Sequence, residues 1–285
     1  MKLSVITSLF NCLEYTQVYL KGLEKSLGQL KDLEYEIILI DDCSTDGTRD
    51  FLKTLSEPHY IIHENNKNSG FAKNNNRGAN LANYDTLLFL NNDLEFSNPD
   101  WLSNMLEVFS KHKDCGALGN IQINPKTELI DHAGIFFDLL GRPAHARKNR
   151  KRPPQKDVSK WNAVTAACLM ISKENFLSVE GFCEDYRNGC EDVDLCVKLR
   201  QKGLQNFIAN KSIILHHVST SPGRHDFNAK NTEIFLGKWA AVTRVWGQSE
   251  WPVEYLNRYA RQWWKFNFRK LMKALYLMFR HKIYN

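Results

Sequence analysis

The sequence predicts an α/β fold in which helices flank a mixed, mostly parallel sheet. Short apolar runs alternate with segments of helical period, each apolar run ends in polar residues, and 43% of the 285 residues are hydrophobic. Strands that alternate with helices favour parallel pairing, with helices on both faces of the sheet. This length and apolar content are sufficient for one large buried core.

The first hundred residues repeat the strand-then-helix pattern. In chain order, the predicted strands and helices are LSVITSLF, EYTQVYLKGLEKSL, EIILIDD, STDGTRDFLKTL, HYIIHEN and TLLFLNND. Ser44 or Thr45 is predicted to cap the second helix, because a hydroxyl before an apolar period is a helix-start signal. The polar, glycine-containing segment NKNSGFAKNNNRGANLA separates the last two strands and is interpreted as a loop.

After Asp100 the pattern is less regular. It predicts a helix at WLSNMLEVFSKH, strands at CGALGNIQI and WNAVTAACLMIS, a helix at CEDVDLCVKLRQKG that stops at Gly203, and an extended NFIANKSIILHHVSTS. Between these elements, FFDLLGRPAHARKNRKRPPQKDVSK is basic, contains proline and has no apolar period. It is predicted to be a mobile loop.

The basic excess of the chain lies at its end. The net charge is +6, and the segment from Tyr255 to Asn285 has eight Lys and Arg residues but no Asp or Glu. The seven cysteines include no CxxC pair, and their odd number argues against a complete disulfide framework. The apolar run in MKLSVITSLFN is too short for a signal-peptide core or a membrane span. We therefore expect a reducing, cytoplasmic environment.

Acidic and imidazole side chains follow several predicted strands or open a predicted helix. They are Asp41, Asp42, Asp93, Glu191, Asp192, Asp194, His216 and His217. If these ends meet at one edge of the sheet, they form a pocket suited to a divalent cation and a phosphate ester. Each signal alone is weak, since Asp often caps a helix or forms a turn.

In combination, these motifs resemble the family 2 glycosyltransferases, which are inverting nucleotide-sugar enzymes with the GT-A fold. The resemblance is strongest to bacterial members that build O-antigen, capsule or other surface glycans, including rhamnosyltransferases. It covers about residues 3–221 through LSVITSLFN, EIILIDDCSTDGT, NSGFAKNNNRGAN, LLFLNNDLE, NPDWLSNMLEVF, IDHAGIFFDLLGRP, AACLMISKENF, GFCEDYRNGCEDVDLCVKLRQKG and SIILHHVSTS. It implies a catalytic domain at 1–221, with a nucleotide-sugar half at about 1–100 and an acceptor half at about 101–221, followed by a helical extension at 222–285.

The resemblance implies a donor site in the first half of the chain. Asp41 would receive the nucleotide base, and Gly70 would give the donor access to the backbone. Lys73 or Arg77 would meet the diphosphate, although a solvated loop is an equal alternative for these two cations. The other implied donor-binding residues are Ser8, Phe10, Asn11 and Asn92. Cys43 departs from the family pattern, where glycine commonly follows the two aspartates.

The resemblance also implies a metal site and a catalytic base. Asn91-Asn92-Asp93 occupies the place of the family's DxD motif, so Asp93 would ligate Mn²⁺ or Mg²⁺ directly. His216 would complete the metal shell, with His217 as the alternative. Asn91 supplies no charge, which leaves weaker metal binding open.

In CEDVDLC, the resemblance implies that Asp192 is the general base and that Glu191 orients or binds the acceptor. Asp194 is interpreted as a capping or loop-positioning residue.

Beyond Trp251 the sequence leaves the family motifs and predicts a basic amphipathic helix. A cationic stripe is formed by Arg258, Arg261, Lys265, Arg269, Lys273 and Arg280, and an apolar face by Trp263, Trp264, Phe268, Leu271, Leu275 and Met278. Such a helix is suited to an anionic membrane surface, here the inner face of the cell membrane. The alternative is a helix packed on the catalytic domain or on a second subunit.

The resulting hypothesis is a metal-dependent inverting glycosyltransferase that extends a surface glycan, with a lipid-linked acceptor. The UDP-, dTDP- and GDP-sugars remain open as donors, including dTDP-rhamnose. A nucleotide-sugar or glycan-binding module without catalysis is the alternative, motivated by Asn91. A dinucleotide-dependent dehydrogenase is disfavoured because no GxGxxG follows the first strand. Nucleic acid is not an expected partner, since no recognised nucleic-acid module accompanies the basic tail.

Overall fold

The computed structural model describes residues 1–217, 227–259 and 263–284. The strands are β1 (Lys2–Leu9), β2 (Glu34–Asp41), β3 (Tyr60–Glu64), β4 (Thr86–Leu90), β5 (Leu94–Glu95), β6 (Cys115–Asn124), β7 (Leu129–His132), β8 (Ile135–Phe137), β9 (Pro143–His145), β10 (Val158–Trp161), β11 (Cys168–Ser172) and β12 (Gln205–His216). The α-helices are α1 (Leu13–Gly28), α2 (Thr48–Leu52), α3 (Phe71–Leu81), α4 (Trp101–Lys111), α5 (Lys173–Ser178), α6 (Glu191–Gln201), α7 (Asn228–Tyr259) and α8 (Phe268–Tyr284). A 3₁₀ turn spans Trp263–Lys265.

The main sheet has the strand order β10-β12-β6-β11-β4-β1-β2-β3, with β5 added to β12 and β7 added to β6. Strands β3, β2, β1 and β4 are parallel, whereas β11 runs antiparallel to both β4 and β6. The mixed, mostly parallel sheet flanked by helices is confirmed. The chain passes from β1 outward to β3 and returns with β4 on the other side of β1, so the strand order reverses between β1 and β4. Ligands of such sheets bind in the crevice beyond the carboxyl ends of the strands at this reversal.

The central strands are buried on both faces, which explains their continuous apolar runs. Neighbouring residues of one strand belong to opposite apolar clusters: Ile6 and Phe89 lie in one cluster, Val5 and Leu88 in the other. Because successive side chains alternate across a strand, each run fills two layers. The two layers hold the carboxyl ends of these strands in fixed positions.

The segment GFAKNNNRGANLA is a helix, α3, so its interpretation as a loop is wrong. The buried side of α3 consists of Ala72, Asn74, Asn75, Gly78 and Ala79. Small and amide side chains let α3 approach β1 closely, and a Cβ at Gly78 would overlap the side chain of Ile6. This buried face has no large apolar residue, which is why the sequence pattern did not reveal a helix.

The helix predicted after β2 is shorter than expected. α2 begins at Thr48, follows Gly47 and has no side-chain cap from Ser44 or Thr45. Asp46 instead accepts a hydrogen bond from Thr48 N at 3.2 Å. Ser44 and Thr45 are held by Asn11, as described below.

The segment predicted to be a mobile loop contains a defined hairpin. Strands β8 and β9 pair antiparallel, and Ala146 N donates to Gly134 O at 2.9 Å. Arg142 and Asp138 form a salt bridge at 2.7 Å within the turn. WNAVTAACLMIS is also not one strand, because β10 ends at Trp161 and β11 begins at Cys168.

Helix α7 packs on the β8–β9 hairpin, and α8 folds back on α7. Phe235 of α7 stacks on Phe137 with ring centroids 6.1 Å apart, and Gly247 leaves room for the carbonyl of Asp138. Ala274 and Leu277 are the buried residues of α8. The division of the chain at residue 221 stays a prediction.

The single cationic stripe predicted for the tail is wrong, because α7 and α8 are separate helices. Arg258 lies in α7, Lys265 in the 3₁₀ turn and Arg269 in α8. Arg261 and the side chain of Trp263 lie outside the described residues. No helix in the described ranges combines the length and the hydropathy that a membrane crossing requires.

Candidate active site

A short antiparallel pairing brings the two predicted metal ligands together. β5 pairs with the end of β12, with His216 opposite Leu94, and His217 N donates to Asp93 O at 2.9 Å. His216 Nε2 consequently lies 3.3 Å from Asp93 Oδ1, although the two residues are far apart in the sequence. The register of this pairing therefore fixes the geometry of the predicted metal site.

The chemistry of Asp93 and His216 fits a divalent cation. Both side chains are buried, and within the described residues neither ring nitrogen of His216 makes a hydrogen bond. A carboxylate oxygen and an imidazole nitrogen form a mixed set that Mn²⁺ and Mg²⁺ accept. Among the described side chains no group of three His, Cys, Asp or Glu could hold an ion, so donor oxygens or water would have to complete the shell.

The side chain of His217 makes a different contact. Its Nε2 lies 3.1 Å from Glu95 Oε2, and its ring packs edge-on against Tyr15 at 5.3 Å. Neighbouring residues of a strand point to opposite faces. His217 is therefore directed away from Asp93, which favours His216 as the imidazole ligand.

The two asparagines before Asp93 have different roles. Asn91 N donates to Ala167 O at 2.9 Å and so attaches the turn after β4 to the segment before β11. The side-chain amide of Asn92 donates to Thr16 Oγ1 at 2.9 Å. This contact turns one amide hydrogen of Asn92 toward α1.

Asp192 lies on the other side of the same segment. Its Oδ2 accepts a hydrogen bond from Ala166 N at 3.0 Å, and its Oδ1 accepts from Val193 N at 2.8 Å. The dipeptide Ala166–Ala167 thus joins the predicted base to the turn that carries Asp93. Asp192 lies in the first turn of α6, where the helix dipole favours the ionised carboxylate.

Glu191 and Cys190 flank Asp192 at the start of α6. Glu191 Oε2 accepts from Gly189 N at 2.7 Å, and Glu191 is buried. Burial, with a further contribution from Asp192, raises the pKa of the Cys190 thiol to about 12. A thiol with this pKa is not ionised near neutral pH, so the carboxylates are the bases available here.

Asp194 is completely buried and does not cap α6. Its Oδ1 accepts from Trp239 Nε1 at 2.7 Å and from Tyr186 OH at 3.1 Å, and its Oδ2 lies 2.9 Å from Lys198 Nζ. Burial raises the pKa of Tyr186 well above its usual range, so its hydroxyl remains a donor. The loop-positioning interpretation of Asp194 agrees with these contacts, whereas the capping interpretation does not.

The predicted donor side is built around Asp41 and Asp42 at the end of β2. Asp41 is buried, and its Oδ2 accepts from Arg49 Nε at 2.8 Å and from Ser44 N at 3.1 Å. Its Oδ1 makes no hydrogen bond within the described residues. Asp42 accepts from Ser69 N at 2.6 Å and from Gly70 N at 2.9 Å, which holds the loop before α3.

The end of β1 forms the second wall of this side. Asn11 N donates to Ser44 Oγ, and Thr45 N donates to Asn11 Oδ1, both at 2.8 Å. Ser8 Oγ accepts from Asn74 Nδ2 at 3.1 Å. Phe10 is exposed, so its ring presents an apolar surface beside the loop that Asn11 holds.

Two cavities adjoin the amino end of α3. One of about 500 Å³ is bounded by Gly70, Lys73 and the loop residues 184–187, and one of about 350 Å³ is bounded by His63, Lys73 and Arg77. Lys73 is exposed and lines both cavities, so its ammonium group is accessible to a diphosphate bound in either of them. Arg77 is already bound to Asn65 Oδ1 and to His63 Nε2, which favours a structural role for this cation.

His132 is a buried imidazole near the site that the sequence analysis did not assign. Its Nε2 accepts from Gly134 N at 3.3 Å and from Thr165 N at 3.4 Å. Burial, together with nearby His145 and His216, lowers the pKa of His132 well below its usual value. The signal was present in IDHAG, where an imidazole ends a short strand before a glycine, but that pattern is common in ordinary turns.

Comparisons with known proteins agree on one family. The model of the family described as Glycosyl transferase family 2 matches residues 4–176. An N-acetylglucosaminyl-diphospho-decaprenol L-rhamnosyltransferase of Mycobacterium tuberculosis is 26% identical over 255 residues, covering 77% of this chain and 81% of that protein. The O-antigen biosynthesis protein RfbC of Myxococcus xanthus is 28% identical over 206 residues, or 68% of this chain. The chain spans only 16% of RfbC and 25% of a matching Sinorhizobium fredii protein.

Solved structures share the fold at low sequence identity. The mannosyltransferase PcManGT of Pyrobaculum calidifontis, solved with GDP-Man and Mn²⁺, aligns with a TM-score of 0.58 at 15% identity over 97% of this chain and 84% of its own. GalNAc-T7, solved with UDP, GalNAc and Mn²⁺, aligns with a TM-score of 0.63 at 15% identity over 88% of this chain and 50% of its own. These likenesses concern the fold alone.

Proposed function

Because this chain belongs to glycosyl transferase family 2, we propose that it moves a sugar, with inversion, from a nucleotide-diphosphate donor to a hydroxyl of a growing surface glycan. The observation that carries the proposal is the junction at Ala166–Ala167, which binds the Asp192 carboxylate on one side and the turn before Asp93 on the other. A base and a metal-binding carboxylate in one crevice are what this reaction requires.

Asp192 acts as the general base. In an inverting transfer, the acceptor hydroxyl attacks the anomeric carbon from the face opposite the departing diphosphate, and its proton must leave as the new bond forms. The backbone N–H groups of Ala166 and Val193 hold the Asp192 carboxylate in a fixed orientation for this step. Glu191, buried next to it, orients the acceptor.

Asp93 and His216 would hold a divalent cation, which would supply positive charge beside the departing diphosphate. Lys73, which borders both cavities, provides a second cation for the same phosphates. The unpaired Oδ1 of Asp41 is the acceptor for a base N–H, with Phe10 and the backbone from Ser8 as the adjoining wall. Gly70 allows the donor to approach the backbone, because it has no Cβ.

The matched relatives favour a deoxyhexose donor and a lipid-linked acceptor. The names of two of them specify rhamnosyl transfer, in M. tuberculosis to a diphospho-decaprenol carrier and in Escherichia coli as the rhamnosyltransferase WbbL. We therefore place dTDP-rhamnose first among the donors to be tested, before UDP- and GDP-sugars.

The test is the release of nucleotide diphosphate from a panel of dTDP-, UDP- and GDP-sugars, with Mn²⁺, Mg²⁺ or a chelator and a lipid-diphosphate glycan acceptor. We expect metal-dependent release from one donor and a loss of at least about 100-fold in Asp192→Asn, since a general base contributes roughly 10²–10⁴-fold. Asp157→Asn is the control, because Asp157 is an exposed carboxylate paired with Lys211. Full turnover in Asp192→Asn would exclude the assigned base, and tight donor binding without turnover would support the binding-module alternative.

We further propose that α8 places the enzyme on an anionic bilayer. Its exposed apolar residues lie within one sector of the helix, and three cations lie beside that sector when residues are placed about 100° apart. The exposed apolar residues are Phe268, Met272, Leu275, Tyr276 and Phe279, and the cations are Arg269, Lys273 and Arg280. On the opposite side Ala274 and Leu277 are buried, whereas Lys270, in the first turn of the helix, is exposed. An exposed apolar stripe with adjacent cations suits the headgroup region of anionic lipids.

Vesicle co-sedimentation tests this placement. We expect the protein to bind phosphatidylglycerol-containing vesicles more tightly than pure phosphatidylcholine vesicles. The Phe268→Ser, Phe279→Ser double variant should bind the phosphatidylglycerol-containing vesicles at least about tenfold more weakly than the wild type. Leu177→Ser removes an exposed apolar residue from α5 and serves as the control. If the double variant dissociates a dimer and leaves vesicle binding unchanged, the stripe is a contact between two copies and the bilayer proposal is wrong.

A further inference from the structure

Helix α7 lies after the segment that the family model matches, yet it contacts the loop that leads into α6. One side of α7 carries Asn231, Lys238 and Trp239. Lys238 lies seven positions after Asn231, which is about two helical turns, and Trp239 is the next residue. Each of them contacts a different part of residues 183–194. We call this segment the base loop; it consists of the loop before α6 and the first turn of α6. The base loop contains Glu191 and Asp192.

Asn231 binds both backbone groups of one residue in the base loop. Its Oδ1 accepts from Arg187 N at 3.2 Å, and its Nδ2 donates to Arg187 O at 2.8 Å. Asn231 is 2% exposed, so these two hydrogen bonds are shielded from water. The backbone at Arg187 cannot rotate without losing both, which leaves a buried amide unsatisfied.

Trp239 binds the base loop at its far end, inside α6. Its Nε1–H donates to Asp194 Oδ1 at 2.7 Å, and Asp194 is completely buried. A buried carboxylate is costly unless donors surround it, so Asp194 remains where Trp239, Tyr186 and Lys198 reach it. Asp194 lies two residues after Asp192 in the same helical turn.

Lys238 adds a third contact near the start of the base loop. Its Nζ lies 3.0 Å from Asp185 Oδ2 and 5.2 Å from the ring centre of Tyr186. Both charged side chains are substantially exposed, so this pair contributes less than the two buried contacts. The decisive contacts are those of Asn231 and Trp239.

From these contacts we infer that α7 is the element that orients the catalytic carboxylates, with Asn231 and Trp239 as positioning residues that act through Arg187 and Asp194. The inference rests on the proposed function for the catalytic roles of Asp192 and Glu191. A base displaced by about 1 Å can lose roughly 100-fold in rate, so a distant contact that fixes its position matters for turnover.

The test compares two identical substitutions on one helix. Trp239→Phe keeps an aromatic ring and removes the N–H donor to Asp194. Trp246→Phe is the matched control, because Trp246 packs on Phe137 and Arg200 and makes no described hydrogen bond to the base loop. Asn231→Ala is a second variant of the positioning contact in case Trp239→Phe folds poorly.

We expect Trp239→Phe to lower kcat about tenfold while the donor KM stays within about twofold, since Trp239 does not border the cavity at Gly70 and Lys73. Asn231→Ala should lower kcat similarly and, because Asn231 borders that cavity, should raise the donor KM as well. Trp246→Phe should keep both constants within about twofold. A purely structural role would instead lower the active fraction and leave kcat per active molecule unchanged. Equal losses of kcat in Trp239→Phe and Trp246→Phe would overturn the inference.

Hydrogen exchange of the base loop separates this inference from the proposed function. We expect faster amide exchange in residues 183–194 of Trp239→Phe, with unchanged exchange in β1 and β4. If the wild type transfers no sugar, the proposed function fails and the catalytic part of the inference fails with it, while the exchange result still decides whether α7 holds the base loop. Unchanged exchange, or faster exchange with unchanged kcat in an active enzyme, would refute the positioning role.

Discussion

At the residue scale, the adjacent histidines at the end of β12 provide a matched pair for testing the metal site. His216 faces Asp93, whereas His217 binds Glu95. We predict that His216→Ala weakens Mn²⁺ binding by about tenfold or more, because we propose the imidazole as a direct ligand. Loss of an outer-shell partner, which lies further from a metal, already costs roughly 10–100-fold in affinity. Titration calorimetry with Mn²⁺ and a nucleotide diphosphate would measure it.

His217→Ala is the control and should bind Mn²⁺ within about twofold of the wild type. If the two variants lose the same affinity, or if only His217→Ala loses it, the assignment of His216 is wrong. The readout is metal affinity, so it does not depend on which sugar the protein transfers.

The sequence predicted single residues better than it predicted their partners. Asp93 and His216 could be identified because each ends an apolar run, but a strand of two residues such as β5 has no period that would predict its pairing with β12. Asp194 shows the same limit, since its partner Trp239 lies 45 residues further along the chain in a helix that resembles no catalytic motif. Contacts over such distances depend on tertiary packing.

At the element scale, two glycines in helices differ in the space that is available for a side chain. Gly78 of α3 lies against Ile6 of β1, and a Cβ there would overlap a branched side chain that is stiff at χ1. We predict that Gly78→Ala lowers the free energy of unfolding by about 1–3 kcal/mol, because overpacking outweighs the gain of about 1 kcal/mol in helix propensity. Urea denaturation would measure the change.

Gly237 of α7 is the counterpart, because a Cβ there would meet no atom within 4 Å. The same substitution at Gly237 should raise the free energy of unfolding by about 0.5–1 kcal/mol through propensity alone. A stable Gly78→Ala variant would contradict the close packing of α3 on β1, and a destabilised Gly237→Ala variant would contradict the open space around Gly237.

Strands and long amphipathic helices could be predicted from periodicity, and α2 was predicted but is shorter than expected, whereas α3 and the β8–β9 hairpin could not be predicted. α3 buries alanines, asparagines and a glycine, so its inward face does not differ in polarity from a loop. The hairpin strands have three residues each, too few to show alternation. In α3, close approach to β1 replaces large apolar side chains as the source of stability.

At the scale of the whole molecule, ionisation of the Glu250 carboxyl is expected to make the contact of α7 with Phe137 and Asn162 dependent on pH. Glu250 is half-buried between Phe137 N, which donates to its Oε2 at 2.9 Å, and Asn162 Nδ2, which donates to its Oε1 at 2.8 Å. Burial raises the pKa of Glu250 from 4.5 to about 7, and these hydrogen bonds and Arg200 offset only part of the rise. Between these two values the folded protein binds more protons than the unfolded chain, so its stability falls as pH rises.

We predict that this carboxyl alone lowers the free energy of unfolding on the order of 2–3 kcal/mol between pH 4.5 and pH 8. Glu250→Gln cannot ionise and should lack that part of the slope, so the difference between variant and wild type should grow with pH. Glu233→Gln, which changes an exposed carboxylate of the same helix, is the control. Parallel pH profiles for wild type and Glu250→Gln would show that Glu250 does not titrate in this window.

The pairing of β5 with β12 also determines when the site can form during translation. Asp93 leaves the ribosome 123 residues before His216, which at about 5–20 residues per second is an interval of roughly 6–25 seconds. During the first part of that interval, until Cys168–Ser172 has been synthesised, β4 has β1 on one side but lacks β11 on its other edge. A nascent chain with such an uncovered apolar edge is prone to pair with other chains. Metal binding would therefore report that synthesis has passed β12 and that this edge is closed.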